Sequence, residues 1–429
     1  MIKQFHVDRT RSPIVLGLTL RYARLNAGLT MRDLGNLANI SHTMVANIEH
    51  GKTMASGATL RDLFRVLDIS YRDDDDFIHM FETVYNRVYA RLLKGDHASI
   101  QDDMRWLAEQ EDAHAHSIVG VEYWLIRFLH AVLSDSMDAT LMQSFDILKR
   151  IYELYSDPQK QLAHLVIGID LYNRERYFDA YRELNKALDI GDPDLDPLVD
   201  LYRIRTQCRM FMFMDLQQTA AQTIRRFEGM LLYDRAMEVR REQAYANIMV
   251  FKFEHAERLL ETVRSYAQEY ERPELLREAD SLMALTRFMQ RRFDESEAII
   301  EAMREDTEHT ILIRMMLAAR NDDQTTIRRL HEQVMTRFAR PHKWRVRSFF
   351  DILLHDLGGL AIDDATYVDK LEAIAAQGLM AHDQEMLRFA YDKLIEHHRH
   401  NRRYKKALEI SEQARSIRSF GFINLEQIR

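Results

Sequence analysis

The sequence predicts an all-α fold, with a small helical head at residues 1–70 followed by a right-handed superhelix of helical repeats. Only 14 Gly and 6 Pro occur among the 429 residues, whereas strands joined by tight turns need more of both. Apolar residues recur at the three- and four-residue spacing of an α-helix. A short motif of aromatic and small residues also returns in the second half, which is typical of stacked helix pairs.

Composition predicts a soluble, cytoplasmic chain. Hydrophobic residues make up 46% and charged residues 29%, as in globular proteins. No apolar run reaches the roughly 18–20 residues needed to cross a bilayer, and Met1–Arg11 lacks the apolar middle of a signal peptide. Cys208 is the only cysteine, so an intrachain disulfide is excluded and a reducing compartment is expected.

Charge is distributed unevenly between the head and the rest of the chain. Residues 1–70 contain nine Lys and Arg against five Asp and Glu, whereas the whole chain has a net charge of −8. A basic head on an acidic body is the asymmetry expected when only the head approaches phosphates.

The first helix of the head is predicted at residues 13–27. Leu16, Leu20 and Ala23 lie at helical spacing there, and Pro13 suits a first turn.

Two more helices and a tight turn follow. Thr30 is expected to cap the second helix, Met31–Ala38, and Ser41 to cap the third, His42–Ile48. Asn39 lies in the turn between them, where a positive φ is needed and Asn tolerates it.

This segment resembles the Xre/Cro-type helix-turn-helix family through the pattern Leu20-Arg21-x-x-Arg24-x-x-x-Gly28-Leu29-Thr30, then Leu34, Ile40-Ser41, Val45, Ile48-Glu49 and Gly51-Lys52. The resemblance implies a compact helical bundle whose third helix enters the major groove of DNA. It also implies a partly buried ion pair between Arg24 and Glu49. Two positions depart from the family: Met31 replaces a Gln that contacts phosphate, and Asn39 replaces the turn glycine.

The resemblance assigns the exposed side chains of the third helix to double-stranded DNA. His42, Thr43 and Asn47 are candidates for contacts with base edges, and Asn favours adenine because its amide both donates and accepts. Thr30, Ser41 and Lys52 are candidates for phosphate contacts, which set the register without reading sequence.

A connecting segment is predicted at residues 71–96, after a fourth helix at Ala58–Leu67. Its acidic run, Asp73–Asp76, suits the positive end of a helix at Phe77–Lys94. That helix has an apolar stripe of Phe77, Met80, Phe81, Val84 and Val88. The stripe is predicted either to connect the head to the body or to pair two subunits.

Helical repeats are predicted over residues 97–429. The motif occurs as Tyr177-x-x-Ala180-x-x-x-Leu184, Phe253-x-x-Ala256-x-x-x-Leu260, Phe293-x-x-Ser296-x-x-x-Ile300 and Tyr404-x-x-Ala407-x-x-x-Ser411. Leu216-x-x-Thr219 lies near the middle of the 76-residue gap between Tyr177 and Phe253. These residues resemble the tetratricopeptide pattern, in which small residues let two antiparallel helices touch. Stacked pairs of this kind curve around a groove.

A helix-turn-helix head on such a body resembles the peptide-responsive quorum-sensing regulators of the Rgg, PlcR and NprR kind, the RRNPP superfamily. The resemblance implies a homodimer whose groove binds a short signalling peptide that alters operator binding. Groove Asn and Arg side chains bind the peptide backbone in that family, and an Asn amide pairs with both N–H and C=O. The corresponding candidates here are Asn173, Arg205, Arg209, Tyr245 and Asn247.

Two alternative functions remain open for the body. It could dock another protein, or it could inhibit a kinase or phosphorelay partner. The sequence contains no glycine-rich phosphate loop, no H-E-x-x-H and no Cys/His metal spacing. We therefore expect no enzymatic activity, no metal and no cofactor.

Overall fold

The computed structural model describes residues 4–191, 193, 195–337, 343–358 and 363–415, which form helices joined by short turns. In these residues, extended pairing is limited to one isolated parallel bridge between Arg72 and Ser117. The predicted all-α fold is confirmed.

The α-helices of the described residues are α1 (Ser12–Asn26), α2 (Met31–Leu37), α3 (His42–Glu49), α4 (Gly57–Leu67), α5 (Asp75–Lys94), α6 (Gln101–Glu109), α7 (Glu111–Ala115), α8 (Gly120–Leu133), α9 (Ala139–Lys149), α10 (Asp157–Asn173), α11 (Tyr177–Ile190) and α12 (Asp196–Arg209). They continue with α13 (Phe213–Gly229), α14 (Tyr233–Met249), α15 (Phe253–Glu269), α16 (Pro273–Met289), α17 (Phe293–Ala302), α18 (Glu308–Arg320), α19 (Gln324–Arg337), α20 (Trp344–Asp356), α21 (Asp364–Ala381), α22 (Gln384–His400) and α23 (Tyr404–Arg415).

The chain divides into two compact units. The first consists of residues 1–170 and 183–199, and the second of residues 171–182 and 200–429. The first unit contains the head and helices α5–α9. The second contains most of the repeats.

Local hydrogen bonds explain where the helices of the head begin. Thr30 caps α2 in a reciprocal box with Asp33, and Ser41 accepts from the N–H of Met44 at the start of α3. Asn39, between these helices, has a φ of +55°. Each cap satisfies a backbone donor that a helix start leaves without a partner. The predicted caps and turn are thus present.

The apolar stripe of α5 lies inside the first unit. Phe77, Phe81, Val84 and Val88 are buried, and α5 packs against α8. The stripe is therefore covered by the chain itself, so the suggestion that it pairs two subunits is wrong. Met80, which was assigned to the same stripe, is exposed.

The repeats of the second unit have a regular spacing. Helices α13–α17 begin at Phe213, Tyr233, Phe253, Pro273 and Phe293, each 20 residues after the previous start. A residue with positive φ lies two positions before each start: Phe211, Leu231, Phe251, Glu271 and Arg291. This conformation reverses the chain within three residues, so successive helices lie side by side and antiparallel.

The small residues of the sequence motif lie where neighbouring helices meet. Ala180, Ala256 and Ser296 are fully buried at the fourth position of their helices, and the Ser296 hydroxyl donates to the Ala284 carbonyl of α16 over 2.8 Å. The suggested match at Leu216 was in the wrong register. The repeat begins at Phe213, so Leu216 occupies the position of the small residue.

Candidate functional site

The exposed face of α3 presents the side chains that the sequence assigned to DNA. His42 and Thr43 are exposed in its first turn, and Asn47 is partly exposed one turn later. Lys52 lies exposed just after the helix, where its N–H donates to the Asn47 carbonyl over 2.9 Å. These side chains form a polar surface from which long groups can extend.

The two capping residues are partly committed to the fold. The Thr30 hydroxyl donates to Asp33 over 2.6 Å while it accepts from the Asp33 N–H. The Ser41 oxygen accepts from the Met44 N–H over 3.1 Å. In that bond the Ser41 hydroxyl only accepts, so its hydrogen can still be donated to a phosphate. The Thr30 hydroxyl already donates to Asp33, so Ser41 is the better placed of the two for a phosphate contact.

Arg24 and Glu49 form a bidentate ion pair inside the head. The Arg24 Nε and a terminal nitrogen donate to the two carboxylate oxygens over 2.6 and 2.8 Å. The two side chains are 5% and 1% exposed. The other terminal nitrogen donates to the Leu29 carbonyl over 2.8 Å. The pair therefore joins α1, the α1–α2 turn and the last residue of α3.

A second polar site lies among the repeats of the second unit and is centred on the carboxylate of Glu385, at the start of α22. Arg345 and Arg209 both donate to one carboxylate oxygen, the latter over 3.3 Å, and the Tyr245 hydroxyl donates to the other over 3.2 Å. Burial opposes ionisation of Glu385, but Arg345 and Arg209 outweigh it and lower its pKa. Glu385 is therefore an anion held by three donors.

Two more carboxyl groups adjoin Arg345. Asp383 accepts from the Arg345 Nε over 3.0 Å, and Glu175 accepts from the Arg345 backbone N–H over 3.2 Å. Burial raises the pKa of Asp383 and raises the pKa of Glu175 to about 7 although Arg345 favours its charged form. We call Glu175, Arg209, Arg345, Asp383 and Glu385 the ionic cluster.

A small cavity of about 60 Å³ borders the ionic cluster. Tyr245, Glu308, His309, Arg345 and Glu385 provide its polar wall. The rest of the lining is apolar and consists of Leu285, Leu312, Val346, Phe349, Phe350 and Met386. The site thus combines donors, acceptors and an apolar recess.

The five residues that the sequence assigned to a peptide do not all lie in this site. Arg209 and Tyr245 do. Arg205, one helical turn before Arg209, instead pairs with Glu238 over 2.8 Å and with Glu242 over 3.3 Å. Asn173 is partly exposed at the end of α10. Asn247 is only 4% exposed, and its amide donates to the Gln243 carbonyl of its own helix.

Sequence reasoning missed most of the ionic cluster. Glu175, Arg345, Asp383 and Glu385 were not singled out, because an isolated charged residue on a helix is ordinarily solvated. Their one local signal is that each precedes or begins a helix. The contacts that matter join Glu385 to residues 140 and 176 positions away.

The family comparison agrees with the geometry of the head. The helix-turn-helix family HTH_3 matches residues 20–73. This range contains α2, α3, α4 and the last turns of α1, including Arg24. Residues 20–73 form a helix-turn-helix domain. In domains of this kind the second helix of the helix-turn-helix lies in the major groove of DNA, and α3 is the helix at that position here.

Solved structures share the fold of most of the chain. A Rap protein complexed with competence and sporulation factor has a TM-score of 0.63 at 11% identity, covering 81% of this chain and 99% of that chain. NprR in complex with its cognate peptide NprX has a TM-score of 0.58 at 14% identity, covering 76% and 99%. The apo form of the quorum sensor NprR from B. thuringiensis has a TM-score of 0.56 at 13% identity, covering 80% of this chain and 99% of that chain. The chain therefore has the helical-repeat fold of these quorum-sensing proteins.

Curated proteins, metal sites and membrane spans were each searched for a match. No curated protein matches the chain significantly. Within the described ranges, no group of three or more His, Cys, Asp or Glu side chains is arranged to hold a metal ion. No described helix combines the length and apolarity required to span a bilayer.

Proposed function

We propose that this chain is a sequence-specific DNA-binding transcriptional regulator, and that a short signalling peptide bound by the second unit alters its affinity for the operator. In this proposal, the head at residues 1–70 binds DNA, residues 71–96 connect, and residues 97–429 bind ligand and dimerise. The observation that carries it is the occurrence in one chain of a helix-turn-helix domain and the fold of the NprR–NprX complex. A DNA target also implies action in the cytoplasm.

The ionic cluster is the proposed anchor for the peptide. Arg209, Arg345 and Tyr245 can donate to peptide carbonyls or carboxylates, while Glu385 can accept from peptide N–H groups. The adjacent recess is lined mainly by apolar side chains, so it suits an apolar side chain of the ligand. Asn173, Arg205 and Asn247 stay as secondary candidates.

The cavity is much smaller than the roughly 300–1,000 Å³ of typical ligand pockets. A peptide would therefore have to open the contacts that Glu385 makes with Arg209 and Arg345. Such opening reduces the apparent affinity, because only the open fraction of molecules binds. It also gives the ligand a preference between two arrangements of the repeats, which any allosteric effect requires.

Peptide binding is tested by thermal unfolding of the full chain in the presence of peptides. The probes are peptides that co-purify with the protein, identified by mass spectrometry, and a synthetic hexapeptide library. A ligand at 100 times its dissociation constant stabilises by about 2.7 kcal/mol, which raises the melting temperature by roughly 5–10 °C. Arg209→Ala is expected to abolish the shift.

The matched control is Arg225→Ala, which removes an exposed arginine of α13 in the same unit. It is expected to keep the full shift. The peptide proposal is wrong if no peptide stabilises the wild type, or if Arg209→Ala and Arg225→Ala respond alike.

DNA binding is tested with duplexes enriched by the wild type from a pool of random sequences. Asn47→Ala is expected to weaken binding to the enriched site by about 1–3 kcal/mol and relax preference at one base pair. Lys52→Ala should weaken binding to all DNA sequences equally and reduce the salt dependence of that binding. Retention of full affinity and specificity by Asn47→Ala would show that α3 reads DNA with other side chains.

Three exposed apolar side chains favour the protein-docking alternative. Leu231, Tyr233 and Tyr270 are exposed around a network in which Tyr266 and Arg272 both donate to Asp234. Exposed apolar surface of this kind marks interaction sites when it is contiguous. If no peptide stabilises the wild type, capture of a protein that Tyr233→Asp and Tyr270→Asp no longer bind would support docking.

A further inference from the structure

Helix α1 is buried on more sides than a free helix-turn-helix domain requires. Leu16, Leu20 and Ala23 belong to the core of the head. Leu18 and Tyr22 are also buried, although they are not part of that core cluster. A helix that is apolar all round is covered all round. The cover on the second side comes from α8 and α9, with which α1 packs.

The contacts on this second side combine ring packing with hydrogen bonds. The Tyr22 ring lies 5.7 Å from that of Trp124 on α8 and 6.5 Å from that of His116. The Arg21 guanidinium donates to the Arg150 carbonyl, just after α9, over 3.1 Å. The Thr19 hydroxyl is 3.4 Å from the Ser117 carbonyl.

The other end of the head is attached to the same loop. The Arg72 N–H donates to the His116 carbonyl over 3.2 Å, and the Ile118 N–H donates to the Arg72 carbonyl over 3.0 Å. The loop before α8 thus contacts both α1 and Arg72, which follows α4 in the chain. Two separated attachments restrict rotation of the head within the first unit.

Helix α1 in turn determines where α3 lies. A Cβ at Gly17 would collide with the Ile48 carbonyl oxygen, so the backbones of α1 and the end of α3 are in direct contact. Seven residues later, Arg24 holds Glu49 through two hydrogen bonds. These two contacts, two turns apart on α1, fix both the distance and the rotation of α3.

We propose that α8 and α9 set the orientation of the DNA-reading helix through α1, with Tyr22 and Trp124 as positioning residues. The inference rests on DNA binding by the head, as proposed above. The coupling is mechanical: displacement of α8 or α9 shifts α1, and α1 carries α3 with it through Gly17 and Arg24.

The test uses the full chain and compares affinities for the enriched site and for random duplex DNA. Trp124→Leu removes the ring that packs on Tyr22. If Trp124 positions α3, the ratio of specific to random affinity should fall at least tenfold, while random binding through phosphates is retained. Loss of stability alone would lower both affinities together and leave the ratio unchanged.

Phe81→Leu is the matched control, because Phe81 is a fully buried ring of the same unit whose ring partners are Tyr85 and His114. It should lower the melting temperature and leave the ratio unchanged. Trp124→Phe keeps a ring beside Tyr22 and should restore part of the discrimination.

Tyr22→Leu tests the same contact from the α1 side and should reproduce the effect of Trp124→Leu. If neither leucine variant folds, Trp124→Phe decides, with an expected loss of discrimination of two- to fivefold. An unchanged ratio in the folded variants would overturn the inference. Failure of the wild type to enrich any site would instead refute the proposed DNA binding.

Discussion

A single buried ion pair, Arg24–Glu49, joins three segments of the head. Both charges are removed from water, and each has its hydrogen bonds satisfied by the other or by the Leu29 carbonyl. Desolvation of two such charges cancels much of their attraction. The main structural effect of the Arg24–Glu49 pair is therefore to fix the position of α1 relative to α3.

We predict that Glu49→Ala destabilises the head by about 3–5 kcal/mol, because Arg24 would remain buried without a counter-charge. The control is Asp62→Ala, which breaks a pair with Arg65 whose side chains are 45% and 76% exposed. That exposed pair should contribute less than about 1 kcal/mol. Chemical denaturation of both variants checks the difference, and equal losses would show that the Arg24–Glu49 pair has no special structural role.

Glu175 gives the second unit a predicted dependence on pH. Its folded pKa of about 7 lies above the ordinary value of 4.5, so between these values the folded state binds more protons than the unfolded state. Stability must then fall as pH rises through this window. At about 1.4 kcal/mol per pKa unit, the loss of stability over the whole window is roughly 3–4 kcal/mol.

Glu175→Gln removes this penalty and can still accept from the Arg345 N–H. The variant should therefore be more stable than the wild type near pH 8, with the difference disappearing near pH 5. Asp323→Asn is the control, because hydrogen bonds from Thr326 lower the pKa of Asp323, so that its carboxylate is charged at both pH values. The free energy of unfolding of this control should differ from that of the wild type by the same amount at pH 5 and at pH 8. If the difference in stability between Glu175→Gln and the wild type does not change with pH, the raised pKa of Glu175 is contradicted.

Local spacing in the sequence was sufficient to predict only some of these residues. Arg24 and Glu49 belong to a contiguous motif, and Thr30 and Ser41 precede helices directly, so neighbours in the sequence reveal their roles. The ionic cluster depends on pairs such as Arg209 and Glu385, which are 176 positions apart. Which distant charges meet is decided by the packing of the repeats, and one sequence does not show it.

Among the elements of the head, the backbones of α1 and the end of α3 are in close contact. Gly17 is required there because a side chain would collide with the backbone of Ile48 and Glu49. The sequence pattern showed the apolar face of α1 toward the head. It did not show that the opposite face, with Leu18 and Tyr22, is buried against α8 and α9.

We predict that Gly17→Ala separates α1 from α3, destabilises the head by about 1–3 kcal/mol and abolishes discrimination between DNA sequences. Gly57→Ala, at the start of α4, is the control because a Cβ there meets nothing within 4 Å. That substitution should be neutral or slightly stabilising. Differential scanning calorimetry and DNA titrations check both variants, and wild-type behaviour of Gly17→Ala would refute the close contact.

The repeat elements were predictable in type and less so in register. The 40-residue separation of Phe253 and Phe293 is two 20-residue helix-and-turn segments. Aromatic starts and small fourth residues identify most of them. Leu216 misled the alignment because a leucine replaces the small residue in α13. The stripe on α5 predicted burial correctly except at Met80. An amphipathic pattern does not reveal which element covers the apolar face.

For the whole molecule, we predict a homodimer, because a single head contacts little DNA and such regulators read two half-sites. With the α5 stripe buried, the terminal repeats are the candidate interface. Tyr404 and Leu408 are exposed apolar residues of α23. Tyr404→Asp with Leu408→Asp should halve the mass measured by light scattering at micromolar concentration. A wild type that is monomeric with and without DNA would refute the dimer.

The central claim is coupling between a peptide in the second unit and DNA on α3. It is tested most directly by measuring the dissociation constant of the full chain for its enriched DNA site while a stabilising peptide is titrated. We predict a change of at least tenfold, equivalent to about 1.4 kcal/mol of coupling, which Arg209→Ala eliminates while leaving peptide-free DNA binding intact. A peptide that raises the melting temperature but leaves the DNA dissociation constant unchanged within twofold would contradict the account.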